Sequence, residues 1–473
     1  MQFVQPSRLL TPHRPHHSLF PALTSFVDKA PRSFHLGNLR QWYLDQGTDP
    51  LHPALLFCAG MSAIVWVLGE VTGNVSQVDR LWTFLPLIYS AHFTFLPWLN
   101  GTVSSISELD HRMLLVFALQ VAWSARLSYQ AARRGFFDPR SEDYRWPLVR
   151  SKVPTWAFKL LNLFFISIAQ NILLLAAELP QYLLLTHSLS SSGHHAQLAK
   201  LKPHHAPTSV VPLNIADIVL AVLFITTLFL EMKADNEQQA YQTLKKNAQR
   251  KDEGARSEKE RKAIERGFVT GGLWSWSRHP NFACEQATWF LLYAFTVVPF
   301  IPLAQSFTSH PLSTLHTILT PSKISSSLLS LSNSLPSFDN LLTYAEHPLT
   351  FYRALDRSSF TTRALAKSKL HALQAWNEVK QDEGTWWNYS IASPLLMSAL
   401  FFASTDLTER ITASKYPLYG AYQSRVAKFW PALTPLKGVW LALTGRKSRI
   451  DRDVFGTGET IKSGKGKGKE KTL

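Results

Sequence analysis

The sequence predicts an all-α, polytopic integral membrane protein with about seven transmembrane helices. Three observations lead there. Seven apolar windows recur along the chain, each near the roughly 20 residues that a membrane helix needs. Charged residues make up only 17% of the 473, against about 25% in ordinary soluble domains. The formal net charge of +16 is confined almost wholly to three short segments. A mean hydropathy of −0.04 therefore averages two populations, apolar runs and basic stretches. Cys58 and Cys284 are too few for a disulfide framework.

The windows are Pro53–Val71, Leu81–Leu99, Met113–Gln130, Ala157–Ala177, Asn214–Met232, Gln286–Leu303 and Trp386–Thr405. The fourth is the cleanest. Its one charge, Lys159, lies at the edge, where a lysine can snorkel to the interface. The sixth has no charge. Others enclose Pro, Gly, Asn or Gln, which membrane helices tolerate when neighbours satisfy the backbone. Buried helices of a soluble domain are the competing reading, and it is weakest for the fourth, fifth and sixth windows.

The basic residues set the orientation. Ala131–Ala157 carries net +3, Lys233–Cys284 net +4 and Asp406–Leu473 net +8. Seven crossings place all three on one side, the cytosolic one, with the N-terminus lumenal and the C-terminus cytosolic. An even number of helices would divide them between opposite faces. The charge thus reads as a topology signal, with no nucleic-acid partner.

Around this body, residues 1–50 read as a disordered arm ending in an amphipathic stretch, without the apolar core of a signal peptide. The membrane domain covers 51–303, and its loop 188–209 is rich in Ser and His. His194, His195, His204 and His205 could bind metal, but such composition is ordinarily a linker, and no metal site is assigned. Residues 304–385 form a lumenal insert, 386–440 the seventh helix and a closing segment, and 441–473 a disordered basic tail. The last residues place Lys469 and Lys471 as in the dilysine retrieval signal of endoplasmic-reticulum membrane proteins, which a coat protein would recognise.

Four polar patches sit where helices leave the membrane on the cytosolic side. The first is Gln77, Asp79, Arg80 and Trp82. The second runs from Arg126 through Arg133 and Arg134 to Glu142, Asp143, Tyr144 and Arg145. The third is Glu231, Asp235, Gln238 and Gln242, spaced to form one helical stripe. Such a stripe is ordinarily a solvated face, yet Glu231 ends an apolar run, where an unpaired carboxylate is costly. The fourth spans residues 271–290. Gly271-Gly272 gives a turn, and Trp274 and Trp276 read as an interfacial belt. Pro280 suits the first position of a helix, which makes His279 its cap. Arg278 beside that N-terminus suits a phosphate, and Glu285 lies one turn after Asn281. An interfacial cap, with Arg278 reaching lipid phosphate, is the plainer alternative.

Arg278-His279-Pro280-Asn281-Phe282-x-x-Glu285, after Gly-Leu-Trp and before an apolar helix, resembles the steroid 5-alpha-reductase superfamily, and most of all its 5-alpha-reductase-like membrane proteins of bacteria and fungi. Asp79 with Trp82, Arg126-Leu127, Glu142-Asp143-x-Arg145, Glu231-x-x-Ala-Asp235-x-x-Gln238 and Lys415-Tyr416-Pro417-x-Tyr419-x-x-Tyr422 agree in order. The resemblance covers about 55–300 and 386–440. It implies a cytosolic-side cavity holding NADPH, with hydride passing to a carbon–carbon double bond of a steroid, sterol or enone-type lipid drawn from the bilayer. Carried over, Asp235, Asn281 and Glu285 would hold the nicotinamide and ribose. Arg126, Arg145, Arg278, Tyr422 and Arg425 would meet the phosphates and adenosine, with Asp143, Glu231, His279 and Tyr416 also around the cofactor. The steroid enzymes polarise their substrate with a Glu and a Tyr from early helices. No firm counterpart occurs here. Glu70, Asp79 and Tyr89 are available, and Asp79 and Tyr89 take the catalytic expectation.

Two other readings stand beside reduction. Isoprenylcysteine carboxyl methyltransferases share the helix arrangement and an Arg-His-Pro motif, and bind S-adenosylmethionine. They differ at Cys284, Glu285 and Ala413-Ser414-Lys415. The second is a non-catalytic sterol-sensing or scaffold protein, against which the polar set Asp235, Asn281 and Glu285 weighs.

Overall fold

The computed structural model describes residues 19–31, 33–188, 212–309, 311 and 387–456. The histidine-rich loop, most of the insert 304–385 and the tail with Lys469 and Lys471 lie outside the described residues. Described residues are helical wherever they are regular. They contain no β-strand, and one isolated parallel bridge joins Ser277 and Ala427. The chain divides into two compact units, residues 1–225 with 289–397, and residues 226–288 with 398–473.

The first unit begins with helices Leu19–Lys29 and Leu36–Leu44, both within the expected N-terminal arm. Helix Leu51–Thr72 follows and ends at Gly73. There the backbone turns left-handed, at φ 67°, a conformation that glycine adopts without strain. Asn162 of helical segment Thr155–Ala176 donates to Glu70 at 2.8 Å, so the carboxylate of the first long helix has a partner. Residues Asn162–Ala169 of that segment wind as a π-helix. Helix His111–Arg133 starts at Asp110, whose carboxylate accepts from the backbone of Arg112 and Met113. Such a cap satisfies N–H groups that have no partner within the helix.

Arg112 itself is buried and pairs with buried Asp217 through two bonds of 2.7 and 2.8 Å. The Phe300 ring lies 4.8 Å from its guanidinium. A charge removed from water has to be neutralised locally, and this pair ties the start of helix His111–Arg133 to the start of Ile215–Gln249. Near Glu178, Gln120 donates 2.8 Å to the carboxyl, and Gln181 bonds Thr94 at 2.7 Å.

The second unit takes residues from the long helix Ile215–Gln249, then helix Glu258–Arg266. Ser257 and Glu260 form a reciprocal capping box at the start of the latter, and Gly267 ends it. A Cβ at Gly267 would strike the Tyr416 ring, and φ is 77° there, so both space and backbone require glycine. Pro280 opens helix Pro280–Ala294, as its fixed φ suits a first turn. Helices Ala392–Lys415, Tyr419–Arg425, Leu433–Leu443 and Lys447–Phe455 complete the chain. A buried cluster of Phe268, Tyr419, Tyr422, Val426, Leu441, Ile450 and Val454 holds the last three around the closing tyrosines.

Each apolar window is helical, but only four helices among the described residues are long and apolar enough to cross a membrane: Leu51–Thr72, Thr155–Ala176, Ile215–Gln249 and Tyr389–Lys415. This suits an integral membrane protein, and four such helices are fewer than the seven crossings expected from the sequence. The second and sixth windows fall short because their helices, Leu85–Leu99 and Pro280–Ala294, have 15 residues each. At 1.5 Å per residue they reach about 22 Å, less than the roughly 30 Å hydrocarbon core. The sixth breaks into a 3-10 turn, Val298–Phe300, at Pro299. His111–Arg133 has the length but carries Gln120, Arg126 and Gln130 in its interior. The seventh helix runs to Lys415, ten residues beyond its apolar window.

Candidate functional site

The Arg278-His279-Pro280-Asn281 segment is held by its backbone first. Arg278 N–H donates 2.8 Å to Ala427 C=O, and His279 N–H donates 3.1 Å to Lys428 C=O. Thr434 Oγ1 donates 2.6 Å to Trp276 C=O and accepts from Ala427 N–H at 2.9 Å. The segment is thus strapped to the residues that follow the closing tyrosine helix. On its other flank, Gly272 adopts φ 61° with the Glu237 carboxylate against it, where any Cβ would collide. That carboxylate accepts from Leu273 N–H at 2.9 Å. Trp274 is buried and donates 3.1 Å to Ala234 C=O. It is therefore a packing residue, a correction to the interfacial belt expected of it, whereas Trp276 is exposed.

The side chains converge on Glu409. Arg278 donates to both of its oxygens at 2.7 and 3.1 Å, and His279 Nε2 lies 3.0 Å away. Tyr419 OH donates at 3.2 Å and Gln423 Nε2 at 3.0 Å. Arg278 also donates to Gln423 C=O at 3.1 Å and to Val426 C=O. Its Nε, Nη1 and Nη2 therefore all have acceptors within the chain. Burial pushes the His279 imidazole below its usual range, against the upward pull of Glu409. Burial likewise raises Tyr422 and keeps it protonated, so that its OH can donate to Trp274 C=O at 2.5 Å.

Asn281 faces elsewhere. Its Nδ2 donates 3.1 Å to Asp235 Oδ1, which joins helices Pro280–Ala294 and Ile215–Gln249. Its Oδ1 is buried and has no donor, as is Gln238 Oε1, three residues after Asp235. Glu231 and Glu285, one turn along their helices from this pair, are both buried. The structure so brings together the motif segment, Asp235 and the closing tyrosines within the second unit. Tyr416 accepts from Lys245 Nζ at 2.9 Å.

Asp79, Tyr89, Arg126, Asp143 and Arg145 belong to the first unit. Asp79 accepts 3.0 Å from Trp146 Nε1, and Asp143 pairs with Arg145 at 2.7 Å. Asp143 N–H donates to Ser76 Oγ at 3.0 Å, and Glu142 pairs with Arg150 at 2.8 Å. Asp79 of the first patch and Glu142–Arg145 of the second thus share one network. Tyr89 is buried elsewhere, edge-on to Phe57, and Arg126 is buried in helix His111–Arg133.

Three arginines read from the sequence as phosphate ligands engage carboxylates of the chain: Arg278 with Glu409, Arg145 with Asp143, and Arg425 with Asp451 at 2.5 Å. A guanidinium near a carboxylate in a poorly hydrated site pairs with it bidentately. Glu409 and Glu237 escaped the sequence reading. Glu409 lies beyond the apolar window, and its partners are more than 100 positions away or in the following turn. The one available signal is that Asp406 and Glu409 are the two carboxylates on the helix that precedes the tyrosine motif.

Breaking a buried pair by removing one partner costs about 3–5 kcal/mol. Glu409→Ala should lose that much in detergent unfolding, and Glu409→Gln less. Burial raises Asp79 above the ordinary 3.8. Ionisation therefore costs stability, absent below that value and growing as pH rises through the raised one. Asp79→Asn, which keeps an acceptor for Trp146, should match or exceed the parent in melting temperature at neutral pH, with the margin vanishing in acid. Asp79→Ala should lose about 1–3 kcal/mol by orphaning the indole N–H.

An uncharacterized protein of Schizosaccharomyces pombe, C594.04c, is 27% identical over 416 residues, covering 86% of this chain and 89% of its own length. No solved structure matches the chain. The family model described as "Protein of unknown function (DUF1295)" matches residues 65–327, a stretch that runs from the first long helix through the Arg278–Glu285 motif. The chain belongs to that family, which includes steroid 5-alpha-reductase-like proteins.

Proposed function

We propose that this protein is a membrane-bound, NADPH-dependent reductase of a carbon–carbon double bond in a lipid, of steroid, sterol or enone type. The observation that carries the reading is the Asp235–Asn281 pair. Asp235 holds the Asn281 amide N–H2 and fixes its rotamer. This leaves Asn281 Oδ1 as a buried acceptor without a donor, which fits the carboxamide N–H2 of a nicotinamide. Gln238 Oε1 offers a second such acceptor on the same helix as Asp235. Family membership with steroid 5-alpha-reductase-like proteins supports the same chemistry.

In this reading NADPH supplies a hydride to the alkene. The chain's own residues do the rest. Asp235 and Asn281 orient the nicotinamide end, with Glu285 one turn along. Glu409 holds Arg278 and His279, and so keeps the turn before Asn281 in place. The protein would lie in the endoplasmic reticulum, as Lys469 and Lys471 suggest, with seven crossings and a cytosolic C-terminus, as the distribution of basic segments suggests.

One observation favours a second reading, an S-adenosylmethionine-dependent methyltransferase. Arg278, Arg145 and Arg425 are all paired with carboxylates, and S-adenosylmethionine needs no phosphate ligands. Thermal unfolding of the purified protein separates the two. A ligand at one hundred times its dissociation constant adds about 2.7 kcal/mol. NADPH should stabilise to this extent, and 4-deuterated NADPH should leave deuterium in a reduced lipid from a membrane extract. Stabilisation by S-adenosylmethionine alone would sink the reductase reading.

A further inference from the structure

We propose that helix Leu433–Leu443 lies in the plane of the membrane, its apolar side in the boundary between acyl chains and headgroups of an anionic leaflet. The helix has two unlike sides. Thr434, Gly438 and Leu441, spaced as one stripe, are buried against the protein. Everything outward is apolar: Leu433, Leu436, Val439, Trp440 and Leu443 are exposed, Trp440 at 66% and Leu443 at 78%. Lys437, the one charge in the helix, is turned inward, its Nζ donating to the carbonyls of Gln423 and Val426 at 2.6 and 3.1 Å. A contiguous apolar surface of this kind on a folded protein marks a contact.

The chemistry around it selects lipid. Eleven residues span about 16 Å, too short to cross a bilayer but long enough to lie along one. Trp430 is exposed just before the helix, and Trp440 within it, where an indole would sit at headgroup level. Helix Lys447–Phe455 then turns Ile450 and Val454 inward, while Arg446, Arg449 and Arg452 stay exposed. Apolar and aromatic residues on one helix, with exposed arginines beside it, make the composition of an interfacial anchor on anionic lipid. The chain also brings its own membrane close, since a helix apolar and long enough to span it ends at Lys415.

The inference rests on the membrane reading above, and one experiment keeps the two apart. The full-length protein is placed in bilayers of phosphatidylcholine and phosphatidylserine that contain a lipid with a photoactivatable acyl chain, then illuminated and digested. Lipid adducts should appear on peptides covering 433–443 as well as on Leu51–Thr72. The double variant Leu436→Glu/Trp440→Glu should lose the first set and keep the second. Adducts on Leu51–Thr72 with none on 433–443, or cross-links from 433–443 to another protein copy in their place, overturn the inference alone. Adducts on neither overturn the membrane reading itself.

Discussion

A carboxylate withdrawn from water must be compensated, and in the second unit the carboxylate is Glu409. Two cationic or polar side chains of the motif, Arg278 and His279, and two of the closing segment, Tyr419 and Gln423, meet on it. The backbone bonds from Arg278 and His279 to Ala427 and Lys428 then follow, because the same turn brings those segments side by side. Helix Pro280–Ala294 starts where this anchoring stops, and Asn281 is aimed at Asp235 as a consequence. Arg278 and His279, the most recognisable residues of the motif, are thus the scaffold, and the proposed cofactor contact, Asn281, lies two residues after His279.

Much of this was legible in the sequence, for identifiable reasons. Hydropathy located every helical window, since burial among apolar surroundings demands long uncharged runs. The stripe Glu231, Asp235 and Gln238 was readable from helical spacing, and Asn281 from the proline that starts its helix. Helix lengths were not, because a window of average hydropathy does not register the breaks near Phe84 and Pro299, or the extension of the last long helix past Thr405 to Lys415. Glu409 fell in that extension. Arginine partners were not readable for a related reason: residue type shows what a guanidinium can bind, but only the fold shows which carboxylate reaches it.

The two units each hold a polar network of similar construction. In the first, Asp79, Asp143, Arg145, Glu142 and Arg150 tie the turn after the first long helix to the short helix Arg145–Arg150. In the second, Glu409 does the tying. In both, the paired charges fix chain turns. Such pairing is what a poorly hydrated interior demands, since incompletely paired groups there would be costly.

The most direct test of this account is to compare nucleotide affinity and unfolding free energy in Asn281→Ala and Arg278→Lys. The account predicts that Asn281→Ala loses NADPH affinity, while its unfolding free energy falls less than that of Arg278→Lys, since only one donor to Asp235 is removed. Arg278→Lys, which keeps charge but not the forked pair with Glu409, should lose stability while its folded fraction binds NADPH as the parent does. The reverse outcome, affinity lost with Arg278 and stability lost with Asn281, would contradict it.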